Sequence, residues 1–199
     1  MTEAADKTVL RTEVRGHVRA IDPRERAEAS DLACRRLAEL PAWSRAATIM
    51  LYVPLRSEVD TTPLALECFR EGRTVCVPRV DWDRGEMHPV ETTSFEDEAL
   101  VTDERNLRTP TAGRPVVPAS IDLVVVPGLA FDPDGGRLGR GGGFYDRFLA
   151  RTDQRTLRIG IAFDAQIVPL VPREPHDVLM DAVVTDRRLL PGRRMAAAG

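Results

Sequence analysis

Ile121-Asp122-Leu123-Val124-Val125-Val126-Pro127, followed closely by Arg137-Leu138-Gly139-Arg140-Gly141-Gly142-Gly143-Phe144-Tyr145-Asp146, is the stretch from which the fold can be read. Its first part is a short apolar run closed by a proline, the pattern of a strand buried on both faces. From Tyr145 to Arg151 the pattern is helical. Between the two lies a glycine cluster with two arginines inside it and a carboxylate at its far end. Strand, glycine loop and helix in that order leave backbone N–H groups unpaired at a positive helix end, which is an arrangement that receives an anion. The expectation is a phosphate site in an α/β domain.

Working outward, residues 5–20 and 23–40 read as two helices rich in Arg and Glu, broken at Asp22-Pro23. Leu32, Leu37 and Leu40 can face the body while the charges stay in water. Ala47 to Leu55 suits a buried strand. Thr61 to Arg70 reads as a helix with Pro63 in its first turn, and Thr74 to Pro78 as the next strand. Leu157 to Phe163 and Ala182 to Thr185 read as further strands. This alternation implies βαβ crossovers and a largely parallel sheet. Asp81 to Glu104 is acidic and weakly patterned, with a strand near Met87 to Val90. Residues 1–187 are expected to form one domain, and residues 188–199, rich in Arg, Ala and Gly, a disordered tail.

With 199 residues the chain holds one sizeable domain, and two would be cramped. A net charge of −3 gives no nucleic-acid footprint. The N-terminus has charges where a signal peptide needs an apolar run, and no apolar stretch is long enough to span a membrane. Cys34, Cys68 and Cys76 lie far apart with no Cys-x-x-Cys pair, so they read as reduced core thiols of a cytoplasmic protein. Of 28 basic residues only Lys7 is a lysine. That skew fits a survivor of codon usage, and equally a position where a compact ammonium is needed and a planar guanidinium does not serve.

Familiar nucleotide motifs fail by spacing. A P-loop needs Lys-Ser/Thr after its last glycine, and this chain offers Gly142-Gly143. The dinucleotide fingerprint, started at Gly139, meets Phe144 at its sixth position. What remains is generic phosphate chemistry: glycines for close backbone approach, Arg137 and Arg140 for charge, and Asp146 placed to hold a metal ion. The plain alternative is a connecting loop whose Asp146 merely favours the helix dipole.

The run Leu129-Ala130-Phe131-Asp132 through Arg137–Leu149 resembles the signature of the 5-formyltetrahydrofolate cyclo-ligases, also called methenyltetrahydrofolate synthetases. Three more segments match in order: Lys7-Thr8-Val9-Leu10-Arg11, then Tyr52-Val53-Pro54 with Glu58-Val59-Asp60-Thr61, then Pro175-His176-Asp177-Val178-Leu179-Met180-Asp181. The resemblance implies a single three-layer α/β domain like that of the sugar-phosphate isomerase and CoA-transferase group. It implies an ATP- and Mg²⁺-dependent closure of 5-formyltetrahydrofolate to 5,10-methenyltetrahydrofolate. The formyl oxygen is phosphorylated on the way, and ADP and phosphate are released.

By matching position, the resemblance puts Lys7, Arg11, Arg137, Leu138, Gly139, Arg140, Gly141, Gly142, Gly143, Phe144 and Tyr145 on ATP. Lys7 and Arg140 are the catalytic pair, with Arg140 at the transferred phosphoryl group. Val53, Glu58, Arg140 and Phe144 meet the folate, with Glu58 on the pterin N–H donors, although by itself Glu58 reads as a solvated loop carboxylate. Asp146 and Asp181 hold magnesium. The partners implied are two small molecules, without nucleic acid or membrane, and a monomer. Three positions depart from the family pattern: Phe144 where many relatives have tyrosine, Gly142 where some have lysine, and Thr109 where glutamate is frequent. A non-catalytic paralogue and an α/β sugar-phosphate-binding module are the competing classes. Lys7 speaks against the second, because a simple sugar-phosphate binder gives an N-terminal helix no reason to return to the loop.

Overall fold

Alternate residues of the central strands go to opposite faces, and this sorts the core. Ile49, Leu123, Val125, Ile159 and Ile161 pack with the first helices, while Met50, Val124, Val126 and Ala162 pack with Phe148 and Leu149 on the other face. A computed structural model describes residues 3–103, 105 and 107–192. The helices are α1 (Glu3–Ala20), α2 (Pro23–Ala38), α3 (Pro41–Arg45), α4 (Thr62–Arg70) and α5 (Phe144–Leu149). The main sheet contains β1 (Thr48–Met50), β2 (Thr74–Asp81), β3 (Glu86–Glu91), β6 (Leu123–Val126), β9 (Leu157–Ala162), β10 (Ala182–Thr185) and β11 (Leu189–Pro191). Two small hairpins, β4 (Leu100–Thr102) with β5 (Arg108–Pro110) and β7 (Ala130–Phe131) with β8 (Arg137–Leu138), lie outside it.

The sheet order is β11-β10-β9-β6-β1-β2-β3. Its five central strands are parallel, and β3 and β11 close the edges antiparallel. Asp122 fixes the register at the start of β1 by accepting from the N–H groups of Ala47 and Thr48. The expected α/β class and largely parallel sheet are observed. Burying each large apolar side chain of this core contributes about 1.5–3 kcal/mol.

Four details differ from expectation. The strand expected over Ala47–Leu55 ends at Met50, with one more bond from the Leu51 N–H to the Cys76 carbonyl. The chain instead loops back, with Thr61 donating to the Tyr52 carbonyl and Tyr52 to that of Val59. The start of the expected tail is β11, paired with β10, and the rest of that tail, 193–199, lies outside the described residues. β2 runs on past the expected Pro78 to Asp81 and turns into β3, which is the strand expected near Met87 to Val90. The turn between β7 and β8 is built on Asp132, whose buried carboxylate accepts from the N–H groups of Asp134, Gly136 and Val171 and from Arg173. Gly135 in that turn has φ of 88°, and a Cβ there would stand 2.4 Å from the Met180 carbonyl oxygen, so only glycine fits.

None of the described helices is long and apolar enough to cross a membrane. The three cysteines are free and buried. Burial pushes the Cys34 and Cys76 thiols up to about 12 and that of Cys68 to about 11. Thiolate is the reactive form. The native protein should therefore leave all three unlabelled by a disulfide reagent at neutral pH, and denaturant should expose all three.

Candidate functional site

The chain leaves β1 and β6 at the same end of the sheet, and the residues that follow them, Tyr52 and Val53 on one side and Pro127 and Gly128 on the other, line a cavity of ≈ 290 Å³. The carboxyl end of parallel strands is where such folds place ligands. Its walls are mostly apolar, with Met87, Trp82 and Phe144 among them, and Glu58 and Arg140 supply charge. Trp82 and Phe144 meet edge to face at 5.1 Å.

The glycine loop forms one rim. Gly141 and Gly143 have φ of 108° and 64°, so the loop uses left-handed conformations that glycine tolerates best. Gly143 is also the residue from which α5 starts, and no side chain caps that helix end, which leaves its first N–H groups for a ligand. Leu138 is buried against Val14 of α1 and Val171, so only its backbone serves the loop. A Cβ at Gly142 would stand 2.7 Å from the Phe144 ring. Two of the departures from the family pattern are thus one: a side chain at 142 requires the ring at 144 to move.

Three of the four predicted cations meet an acid, and the fourth, Arg11, meets a backbone carbonyl. Lys7 Nζ is 2.9 Å from Glu174 Oε1 and 3.0 Å from Asp177 Oδ2. Burial opposes the lysine charge, but its bonds to Glu174 and Asp177 outweigh burial and hold its pKa above the ordinary value. The Asp177 carboxyl is correspondingly low, since burial is overcome by the Glu174 N–H and Lys7. Arg11, one helical turn from Lys7, donates Nε to the Gly139 carbonyl at 3.1 Å. Arg137 is almost fully buried and bonds Asp146 Oδ2 at 2.8 Å, with its guanidinium over the Tyr145 ring. Arg140 Nη2 is 2.9 Å from Glu58 Oε1, and its side chain is 42% exposed against 10% for Glu58. The other Glu58 oxygen accepts from the Leu55 N–H. Tyr145 lines this cavity, and its hydroxyl is buried with no hydrogen-bond partner among the described residues.

The structure therefore gathers Lys7, Arg11, Arg137, Arg140 and Asp146 around the loop, and Val53, Glu58, Phe144 and Tyr145 around the cavity. Asp181 lies elsewhere. It directly precedes β10, and its Oδ2 accepts from the Arg158 N–H of β9. Asp177 is the acid of that segment that reaches Lys7, and the Val178 N–H beside it donates to Asp146 Oδ1 at 3.3 Å. Among the described residues no three His, Cys, Asp or Glu side chains form a metal-holding group. Sequence reasoning missed the wall formed by Trp82, Arg105 and Leu107. Its only signal was an isolated tryptophan among acids.

Comparison with known proteins gives one answer. The family model described as "5-formyltetrahydrofolate cyclo-ligase family" matches residues 3–186. The mouse 5-formyltetrahydrofolate cyclo-ligase is 31% identical over 193 residues, covering 92% of this chain and 95% of the mouse protein. The Escherichia coli K12 protein of the same name is 31% identical, with 88% and 98% covered. Among solved structures, the Aquifex aeolicus 5,10-methenyltetrahydrofolate synthetase superposes with a TM-score of 0.81 at 31% identity, covering 94% of this chain and 93% of its own.

Proposed function

This chain belongs to the 5-formyltetrahydrofolate cyclo-ligase family of enzymes, and on that premise we propose that it uses ATP to close 5-formyltetrahydrofolate to 5,10-methenyltetrahydrofolate. The observation that carries this reading is the Arg140–Glu58 pair, which joins the glycine loop to the apolar cavity through one guanidinium. A ligand with a planar donor-rich ring on Glu58 has its next atoms beside Arg140, and the phosphate-binding loop begins there.

In the proposed reaction the formyl oxygen attacks the γ-phosphorus and the bond to ADP breaks. N10 then attacks the activated formyl carbon, the carbon–oxygen bond breaks, and phosphate leaves with the N10 proton. Oxygen is a poor leaving group until phosphorylated, so the protein's task is positioning and charge neutralisation. Arg140 neutralises charge on the transferring phosphoryl group and the formyl oxygen. The N–H groups of Gly139 to Gly143 and the side chains of Lys7, Arg11 and Arg137 receive the remaining phosphates. Val53 and the Phe144 face enclose the ring system.

Magnesium commonly binds through one or two carboxylates together with substrate phosphates, and the acids here fit that mode. Asp146 would hold it, with Asp177 in the role expected of Asp181, since the Asp181 carboxylate is bonded to the β9 backbone. The ion would supply charge neutralisation on the phosphates. Lys7 and Arg137 now occupy those acids and would turn to phosphate oxygens. The same reading takes the enzyme as a cytoplasmic monomer acting on two small molecules.

Purified protein with 5-formyltetrahydrofolate, Mg²⁺ and ATP should develop methenyltetrahydrofolate absorbance, and leaving out ATP should abolish it. Binding of both substrates without product would instead identify a non-catalytic relative. A second expectation follows from the pterin role of Glu58. Losing a charge-assisted hydrogen bond costs about 1.5–3 kcal/mol, so Glu58→Gln should raise the KM for 5-formyltetrahydrofolate by about tenfold or more while leaving the KM for ATP within about twofold.

A further inference from the structure

Arg147, on the exposed side of α5, joins two loops that the sheet does not connect. Its Nε and Nη2 donate to the Gly85 carbonyl at 3.0 and 2.7 Å, and Nη2 also donates to the Gly142 carbonyl at 2.9 Å. Gly85 is in the turn of the β2–β3 hairpin, and Gly142 is in the glycine loop. The guanidinium also lies over the Phe144 ring at 5.1 Å. Phe144 meets Trp82 of the same hairpin, and the Arg105 guanidinium lies over the Trp82 ring at 4.1 Å. Among the described residues Arg147 has no acidic partner. It bonds only backbone carbonyls, from a rigid fork of donors that a lysine cannot reproduce.

We propose that Arg147 is a positioning residue that makes the phosphate loop and the Trp82 wall of the folate cavity one unit, so that occupation of either side strengthens binding at the other. The inference rests on the cyclo-ligase reading for the identity of the two ligands. Arg147 is the side chain that bonds Gly142 and Gly85 at once, so a shift of either loop carries strain to the other through it, beside the direct Phe144–Trp82 contact and the Arg151 bond to the Met87 carbonyl. A phosphate held by the loop therefore fixes the wall against which the folate lies.

The test is the affinity of a non-hydrolysable ATP analogue with Mg²⁺, measured with and without 5-formyltetrahydrofolate, for the wild type, Arg147→Ala and Arg147→Lys. The wild type should bind the analogue about fivefold or more tightly when the folate is present. Both variants should keep their fold by melting temperature and bring this factor within about twofold of unity, because lysine keeps the charge but loses the fork. A factor absent from the wild type, or unchanged in Arg147→Lys, overturns the proposal. A wild type that binds no 5-formyltetrahydrofolate overturns the cyclo-ligase reading instead. The link is then read from nucleotide alone: the analogue should change Trp82 emission, with Trp82→Phe assigning the signal, and survival of that change in Arg147→Lys overturns the link.

Discussion

Arg140→Ala should lower kcat by about 10²–10³-fold, the range found when one donor aimed at developing transition-state charge is removed. The side chain is half exposed and bonded to Glu58 and Ser57, so its loss leaves the core untouched and the melting temperature near that of the wild type. Arg140→Lys separates charge from geometry. A point charge can neutralise one oxygen but cannot span two in the plane of a guanidinium, so lysine should recover only part of the loss. Steady-state kinetics with each substrate varied give the decisive split. If Arg140 acts on the transferring group, the fall appears in kcat. If it only holds ground-state substrate, the change appears in KM with kcat unaltered, and the catalytic role is lost.

The largest expected loss of stability is at Asp132, which no candidate substrate contact involves. Its carboxylate is 1% exposed and takes both Arg173 bonds, at 2.7 and 2.8 Å, with three backbone N–H groups. Asp132→Ala leaves those donors and a partly buried guanidinium without their acceptor, a loss of about 3–5 kcal/mol and a fall in melting temperature of about 10 °C or more. Burial alone would raise the Asp132 pKa, but Arg173 and the Val171 and Gly136 N–H groups more than compensate and hold it below the usual value. A depressed folded-state value means the contribution is complete above the unfolded-state pKa, about 4, and is lost as pH falls through the folded-state value. Urea titrations should therefore show the wild type and Asp132→Ala converging below about pH 4. A constant difference down to pH 2 would exclude the ionised carboxylate as its source.

The parallel core was legible because strands buried on both faces read as uninterrupted Val, Ile and Leu runs, as in Leu123–Val126. The β7–β8 hairpin was not, since strands of two residues carry no periodicity. β11 looked like tail because its arginine-rich setting hides an edge strand of three residues, of which Leu189 packs on one face of the sheet and Leu190 on the other. At the site, the lone lysine and its spacing to Arg11 marked α1 as a participant, and the structure brings both to the loop and its neighbouring acids. Asp177 and Asp181 lie in one acidic segment, and spacing along the chain does not distinguish them. What separates them is a backbone N–H of a strand distant in sequence, that of Arg158. The Trp82 wall escaped for a related reason: its charged neighbours Asp81, Asp83 and Arg84 mask an aromatic whose partners Phe144, Arg105 and Asp103 are distant in sequence.

The contact between Lys7 and Asp177 spans 170 positions of chain. During synthesis the first helix leaves the ribosome early and waits, with its ammonium in water, until almost all the rest has been translated. The glycine loop emerges in between, before the acid that will pair with the lysine has been made. A nascent chain halted after β9 would therefore carry the glycine loop without Asp177, so on the proposed reading a nucleotide would meet its full set of contacts only once that segment is made. The segment from Arg173 to Asp177 is what then brings the acids to Lys7.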